Sequence, residues 1–155
     1  MRPVVGVNID ELLARSPIKI GGGDKVVVVF FDLLCPFCRK MFIESEEPLI
    51  ELAKKSVMTL AFCDFPVHLE AYEMHKHLRC LPEEERLKYV EEVYKSGRRD
   101  VKPCNADISQ CEEVAAKLNI RGVPSTVIYN RRLGRGLLIE GYVPTNVLLD
   151  AVLKI

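Results

Sequence analysis

No apolar run in the chain approaches the roughly 20 residues that a membrane-spanning helix needs. There is no charge excess either, because 22 Lys and Arg balance 22 Asp and Glu. Without a net positive balance the chain lacks the electrostatic footprint of a nucleic-acid binder. The only dense basic patch is "NRRLGRG", Asn130 to Gly136, which reads as a solvated turn, since turns collect glycine and charge. Repeats and low-complexity tracts are missing, so the 155 residues fit one domain with a full core. Gln110 is the single glutamine and asparagines are few, a scarcity of labile amides that hyperthermophile proteins tend to share. The opening stretch "MRPVVGVNIDELLARSPIKIGGG" is interrupted by Asp10, Glu11 and Arg15 and does not read as a signal peptide.

What is plentiful is cysteine, with six residues. An even count usually suggests a disulfide framework outside the cell, with intracellular proteins of hyperthermophiles as the exception. Taken with the scarce amides, this favours a cytoplasmic location in a thermophile. An extracytoplasmic one requires a signal peptide already removed.

Along the chain, Lys25 to Asp32 ("KVVVVFFD") is continuously apolar and β-branched, as expected of a central strand buried on both faces. "CPFCRKMFIESEEPLIELAKK" reads as a helix with Pro36 in its first turn and Phe37, Met41, Phe42, Leu49, Leu52 and Ala53 as its apolar stripe. Pro48 is expected to kink or restart it. A second buried strand begins about Val57. Two helical stretches follow, separated by Pro82, the second closed by Gly97. A polar loop leads to a third helix, capped by Asp107 or Ser109. "PSTVIYN" and "GLLIEGY" read as a hairpin, and a helix opened by Pro144 ends the chain.

Cys35 and Cys38 stand one helical turn apart where the first strand passes into a helix. Two chemistries use that spacing. A zinc site needs four ligands. No second pair of this spacing exists, Cys104 and Cys111 are six residues apart, and His75 and His77 stand too close together for the usual histidine spacing. A redox dithiol needs only the two. At a helix amino end, unpaired N–H groups and the macrodipole favour a thiolate, which makes Cys35 the nucleophile. Cys38, one turn on and more buried, would resolve a mixed disulfide formed on Cys35. The bland alternative is a pair of unrelated core cysteines.

"NIRGVPSTVIYN" places Pro124 just before a strand and after a helix, a position proline can occupy. With the CxxC, this segment resembles the thioredoxin superfamily. The resemblance implies an α/β thioredoxin fold in which Pro124 is a cis-proline facing the CxxC and Val123 offers its backbone to a substrate chain. It implies that Pro36 and Phe37 also meet the substrate. A helical insertion between the second strand and the cis-proline strand, at about 67–118, is similar to the Dsb group of bacterial disulfide oxidoreductases. "VVVVFFDLLCPFCRKM", "LAFCDFPV", "LNIRGVPSTVIYN" and "IEGYVPTNVLLDAVL" are together similar to the catalytic domain of the periplasmic disulfide isomerases. On this reading residues 1–22 are a short arm and 23–155 the catalytic domain. The chain departs from the family at three points. Val29 occupies the place of a buried acid, leaving no evident proton acceptor for Cys38, although Asp32 is nearer in sequence. Pro36-Phe37 lacks the oxidases' histidine, which implies an intermediate potential. The long dimerisation region of the isomerases is not matched. Valine before the proline is, by contrast, the choice of the oxidases.

Cys63, Cys80, Cys104 and Cys111 allow three full pairings. The resemblance implies a structural disulfide between Cys80 and Cys104. Cys63, inside an apolar strand, reads as a buried free thiol, and Cys111 as either free or a competitor for Cys104. His68, His75 and His77 read as exposed positions on or near a helix, with no catalytic role. The functional expectation is a thiol–disulfide oxidoreductase of oxidase or isomerase type acting on protein thiols and disulfides. It would need a redox partner, but no metal, flavin or nucleotide. A non-enzymatic redox-switch binding module using the same dithiol is the alternative.

Overall fold

Lys25–Phe31 forms the centre of a six-stranded sheet in the computed structural model, which describes residues 1–155. The elements in chain order are β1 (Arg2–Val5), α1 (Ile9–Arg15), β2 (Ile18–Gly21), β3 (Lys25–Phe31), α2 (Pro36–Lys54), β4 (Thr59–Asp64), α3 (Ala71–Cys80), α4 (Glu83–Ser96), α5 (Gln110–Lys117), β5 (Ser125–Asn130), β6 (Arg135–Glu140) and α6 (Thr145–Lys154). The sheet order is β1-β6-β5-β3-β4-β2. β3 pairs parallel with β4 and antiparallel with β5, so neither of its edges is free.

The period-2 geometry of a strand explains the continuous apolar run of β3. Val27, Val29 and Phe31 face one core with residues of α2, α4 and α6. Val26, Val28 and Phe30 face the other, with residues of α1 and α5. Each layer of helices buries its apolar stripe on one face of the sheet. A helical insertion, α3 to α5, lies between β4 and the strand that follows Pro124. Gly97 ends α4 in the left-handed conformation at φ 73°, where a side chain would be strained.

Two expectations change. Residues 1–22 do not form an arm: β1 closes one edge of the sheet against β6, β2 closes the other against β4, and α1 buries Leu12 completely. These segments are short and broken by charge, so only pairing with strands far along the chain reveals them. Pro48, expected to kink or restart α2, does not restart it: one helix runs from Pro36 to Lys54 with Pro48 inside. Burial of Met41, Phe42, Leu49 and Ala53 on the sheet offsets the roughly 3 kcal/mol that an interior proline costs. No helix is long and apolar enough to cross a membrane.

Candidate active site

The site begins where β3 ends. Asp32, fully buried, follows the last strand residue and organises the turn that carries Cys35. Its Oδ1 accepts from Leu34 N–H at 2.8 Å, and its Oδ2 accepts from the N–H groups of Val67 and His68 at 2.8 and 2.9 Å. The ring Nδ1 of His68 donates to Oδ2 at 2.8 Å. The backbone carbonyl of Asp32 accepts from Cys35 N–H at 3.1 Å and from the hydroxyl of Tyr94 at 2.8 Å. Burial alone would raise the pKa of this carboxyl, but the hydrogen bonds outweigh it and hold the group below its ordinary value. Asp32 therefore ties the turn 33–35 to the loop 65–70 as a charged clamp.

Cys35 is the N-cap of α2 and Pro36 follows in the first turn. Its sulfur accepts from Cys38 N–H at 3.3 Å. In the thiol form it donates to the carbonyl of Val123 at 3.8 Å. Its pKa is lowered to about 6, chiefly by the Cys38 thiol donating to it; burial opposes, and the backbone N–H groups of Cys38 and Phe37 add to the lowering. Cys38 lies beneath it with its pKa pushed up, first by burial and then by the sulfur of Cys35. One thiol is thus a thiolate at neutral pH and the other keeps its proton. The Val123–Pro124 peptide bond is cis, and the Val123 carbonyl lies beside the Cys35 sulfur. Phe37 between the cysteines is 61% exposed, and Val67 and Leu69, either side of His68, are also exposed. These side chains give the rim of the site an apolar character.

The histidine expectation is overturned for two of three residues. His75 and His77 are buried. Ala71, Met74, His75 and Leu78 share the buried face of α3, and the i, i+3, i+4, i+7 spacing of that stripe was legible in the sequence. Nε2 of His75 accepts from Leu33 N–H at 3.1 Å, directly behind the CxxC turn. On its other side stands Asp64, whose carboxylate takes a two-pronged contact from Arg79 at 2.6 and 2.8 Å. His77 Nδ1 accepts from Lys102 N–H at 3.0 Å, which pins the polar loop to α3. His68 is the exposed one, and it joins the site through Asp32.

Two disulfides brace this frame. Cys80 and Cys104 are joined, with Cα atoms 6.5 Å apart. Cys63 is not a free thiol: it is bonded to Cys111, with a Cα separation of 5.7 Å. The buried-thiol reading fails because α5 packs on the face of β4 that carries Cys63, a contact 48 residues away in sequence. Cys35 and Cys38 are the two cysteines left as thiols. No group of three or more His, Cys, Asp and Glu side chains is arranged to hold a metal ion.

A central strand feeding a dithiol into a helix N-terminus, with a cis-proline segment alongside, defines a thioredoxin-type fold. The chain belongs to the thioredoxin-like domain family, whose model matches residues 18–155. Among solved structures it is similar to a disulfide interchange protein from Neisseria gonorrhoeae, at 20% identity and TM-score 0.67, covering 92% of this chain and 96% of that one. It is similar to the catalytic domain of ScsC from Proteus mirabilis, at 19% identity and TM-score 0.68, covering 94% and 93%. It is also similar to DsbA2 from Pseudomonas aeruginosa, at 16% identity and TM-score 0.63, covering 88% and 92%. At these identities the likeness is one of fold. No curated protein matches the chain by sequence.

Proposed function

We propose that the protein is a thiol–disulfide oxidoreductase that exchanges disulfides with protein substrates through Cys35 and Cys38. The observation that carries this reading is the split between the two thiols. Cys35, with a pKa of about 6, is ready to attack or leave as a thiolate, while Cys38 is held protonated one turn below. A thiolate on Cys35 attacks a substrate disulfide, forming the mixed disulfide and releasing one substrate sulfur. Cys38 then attacks Cys35, closes the internal disulfide and frees the second substrate sulfur. Running backwards, the same steps oxidise a substrate dithiol. An extended substrate segment can lie along Val123, whose carbonyl is close to the reacting sulfur, with apolar side chains on Phe37, Val67 and Leu69. A lowered Cys35 pKa stabilises the reduced form and so makes the disulfide the more oxidising, which favours oxidase or isomerase work over reduction.

The test is turnover with a generic protein disulfide under a glutathione couple. Cys35→Ser should abolish it, and Cys38→Ser should accumulate mixed disulfides on Cys35. If the wild-type dithiol opens and closes but never turns over substrate, the oxidoreductase reading fails and the dithiol is a switch.

A further inference from the structure

Cys35 works as a thiolate, yet the charged side chain that organises its turn has the wrong sign. The Asp32 carbonyl accepts from Cys35 N–H at 3.1 Å, and Oδ1 of its carboxylate accepts from Leu34 N–H at 2.8 Å. Asp32 is fully buried, where water screens its charge poorly. The Cys35 pKa is lowered chiefly by the Cys38 thiol, and the Asp32 carboxylate pushes against that lowering. The cations nearest in sequence are engaged elsewhere. Nε of Arg39 donates to the Tyr94 carbonyl at 2.8 Å, and Lys40 stands over the ring of Tyr142, 4.5 Å from its centre. His75 has Nε2 4.0 Å from Asp32, but that nitrogen accepts from Leu33 N–H and so carries no proton.

His68 does meet Asp32 with a proton. Its Nδ1 donates to Oδ2 at 2.8 Å, and its backbone N–H donates to the same oxygen at 2.9 Å. Nδ1 keeps its hydrogen on Asp32 whether the ring is neutral or charged, so the proton that comes and goes is the one on Nε2. The His68 side chain is 44% exposed while that of Asp32 is wholly buried, which leaves the ring open to exchange with solvent. The His68 pKa is raised, first by the hydrogen bond to Asp32; burial opposes, and the charges of Asp32, Cys35 and Glu70 add to the rise. Such coupling is mutual: a thiolate that favours the imidazolium is favoured by it.

We propose that His68 is a positioning residue for the exchange reaction: when protonated it cancels the charge of Asp32 beside Cys35, favours the thiolate and makes the Cys35–Cys38 disulfide a stronger oxidant. This rests on the disulfide-exchange reading. When two glutathione thiols reduce the disulfide, they give up two electrons and two protons and join as their own disulfide. Both electrons enter the Cys35–Cys38 bond, which breaks. One proton ends on Cys38, and the other goes to His68 if the ring is neutral, or to solvent if it is already charged. The new thiolate on Cys35 then stands beside an imidazolium–carboxylate pair of no net charge rather than a bare carboxylate. The effect lies between two titrations. Below the Cys35 pKa of about 6 there is no thiolate to favour, and above the raised His68 value the ring is neutral.

The equilibrium of the dithiol with glutathione and its disulfide, read by alkylating the thiols, measures oxidant strength. Near neutral pH, His68→Gln should shift it about threefold towards the Cys35–Cys38 disulfide, the scale of a half-exposed charge pair. The gap should close in acid below the Cys35 value and in alkali above the His68 value. The alkylation midpoint of Cys35 should rise in the same variant. His68→Lys keeps a cation on Asp32 and should restore the wild-type equilibrium. On the unmodified protein, the His68 ring-proton resonance should titrate at higher pH in the reduced form than in the oxidised form, because only the reduced form carries the thiolate. Equal His68 midpoints in the two forms overturn the proposal, as does a His68→Gln protein with the wild-type equilibrium at every pH. So does a His68→Lys variant that shifts as His68→Gln does, which would make His68 only a tie for its loop. If the unmodified protein never closes Cys35–Cys38 in glutathione buffers, the exchange reading itself falls and takes this proposal with it.

Discussion

At Cys35 the chemistry is set by neighbours within one helical turn. A pKa of about 6 leaves roughly nine-tenths of the sulfur as thiolate at pH 7. Alkylation of reduced protein should therefore rise through pH 6 and level off above it. A midpoint near 8.5, the value of an ordinary cysteine, would show that the helix start does not activate the thiol. Asp32 is the residue on which the turn depends. Asp32→Ala leaves three backbone N–H groups and a histidine without their acceptor, and should cost about 3–5 kcal/mol in denaturant unfolding. Asp32→Asn keeps an acceptor oxygen and should cost less. The Asp32–His68 pair carries its own pH signature. The His68 pKa is raised, first by its hydrogen bond to Asp32, so its stabilising part is complete below the ordinary histidine range and fades as pH rises through the raised value. The Asp32 pKa is lowered, so its part is complete above the ordinary carboxylate range and fades as pH falls through the lowered value. The stability gap between wild type and His68→Gln should be largest between those ranges and close on the alkaline side. A gap independent of pH would contradict the pairing.

Among the elements, the insertion depends most on covalent ties. Its helices α3 and α4 share one core with α2, while α5 packs on the other face of the sheet with α1. The Cys63–Cys111 bridge spans 48 residues and the Cys80–Cys104 bridge 24. In the chain-entropy model these closures are worth about 4 and 3.5 kcal/mol, so entropy alone barely separates them. Burial does separate them, because Cys63 and Cys111 are both fully buried. Removing both members of that pair should therefore lower the melting temperature more than removing Cys80 and Cys104. Both double variants should keep Cys35 reactivity. Non-reducing peptide maps of the oxidised protein should show 63–111 and 80–104, and any link from Cys104 to Cys111 would contradict this arrangement. Arg79 adds a polar tie at the same place, donating to Asp64, to the Arg15 carbonyl and to the sulfur of Cys111.

On the scale of the whole molecule, the first 21 residues close both edges of the sheet. Deleting residues 1–22 would uncover an edge of β4 and an edge of β6, and remove Leu12, Leu13 and Ile18 from the two cores. The shortened chain should aggregate or lose its cooperative unfolding transition, even though it retains the dithiol and the cis-proline segment. A shortened chain that unfolds cooperatively at wild-type denaturant concentration would mean that the strands β1 and β2 contribute little.

The sequence by itself determined whatever depends on near neighbours. The apolar run of β3, the thiols one turn apart at a helix start, the breaks at Pro82 and Gly97, and the hairpin around Asn130 to Gly136 are all local patterns, and local geometry sets their meaning. The stripe that buries His75 is of the same kind. Tertiary structure alone decided the rest. The partner of Cys63 lies 48 residues away, and nothing in the two flanking segments encodes it. The four donors on Asp32 come from the turn at Leu34 and the loop at Val67 and His68, brought together because β3 and β4 run parallel and end side by side. Glu46 looks like any helical surface glutamate until α4 packs beside it, supplies Lys95 and buries the carboxylate. Burial and pairing across the chain depend on which surfaces meet, and that is a property of the packed molecule rather than of any single stretch.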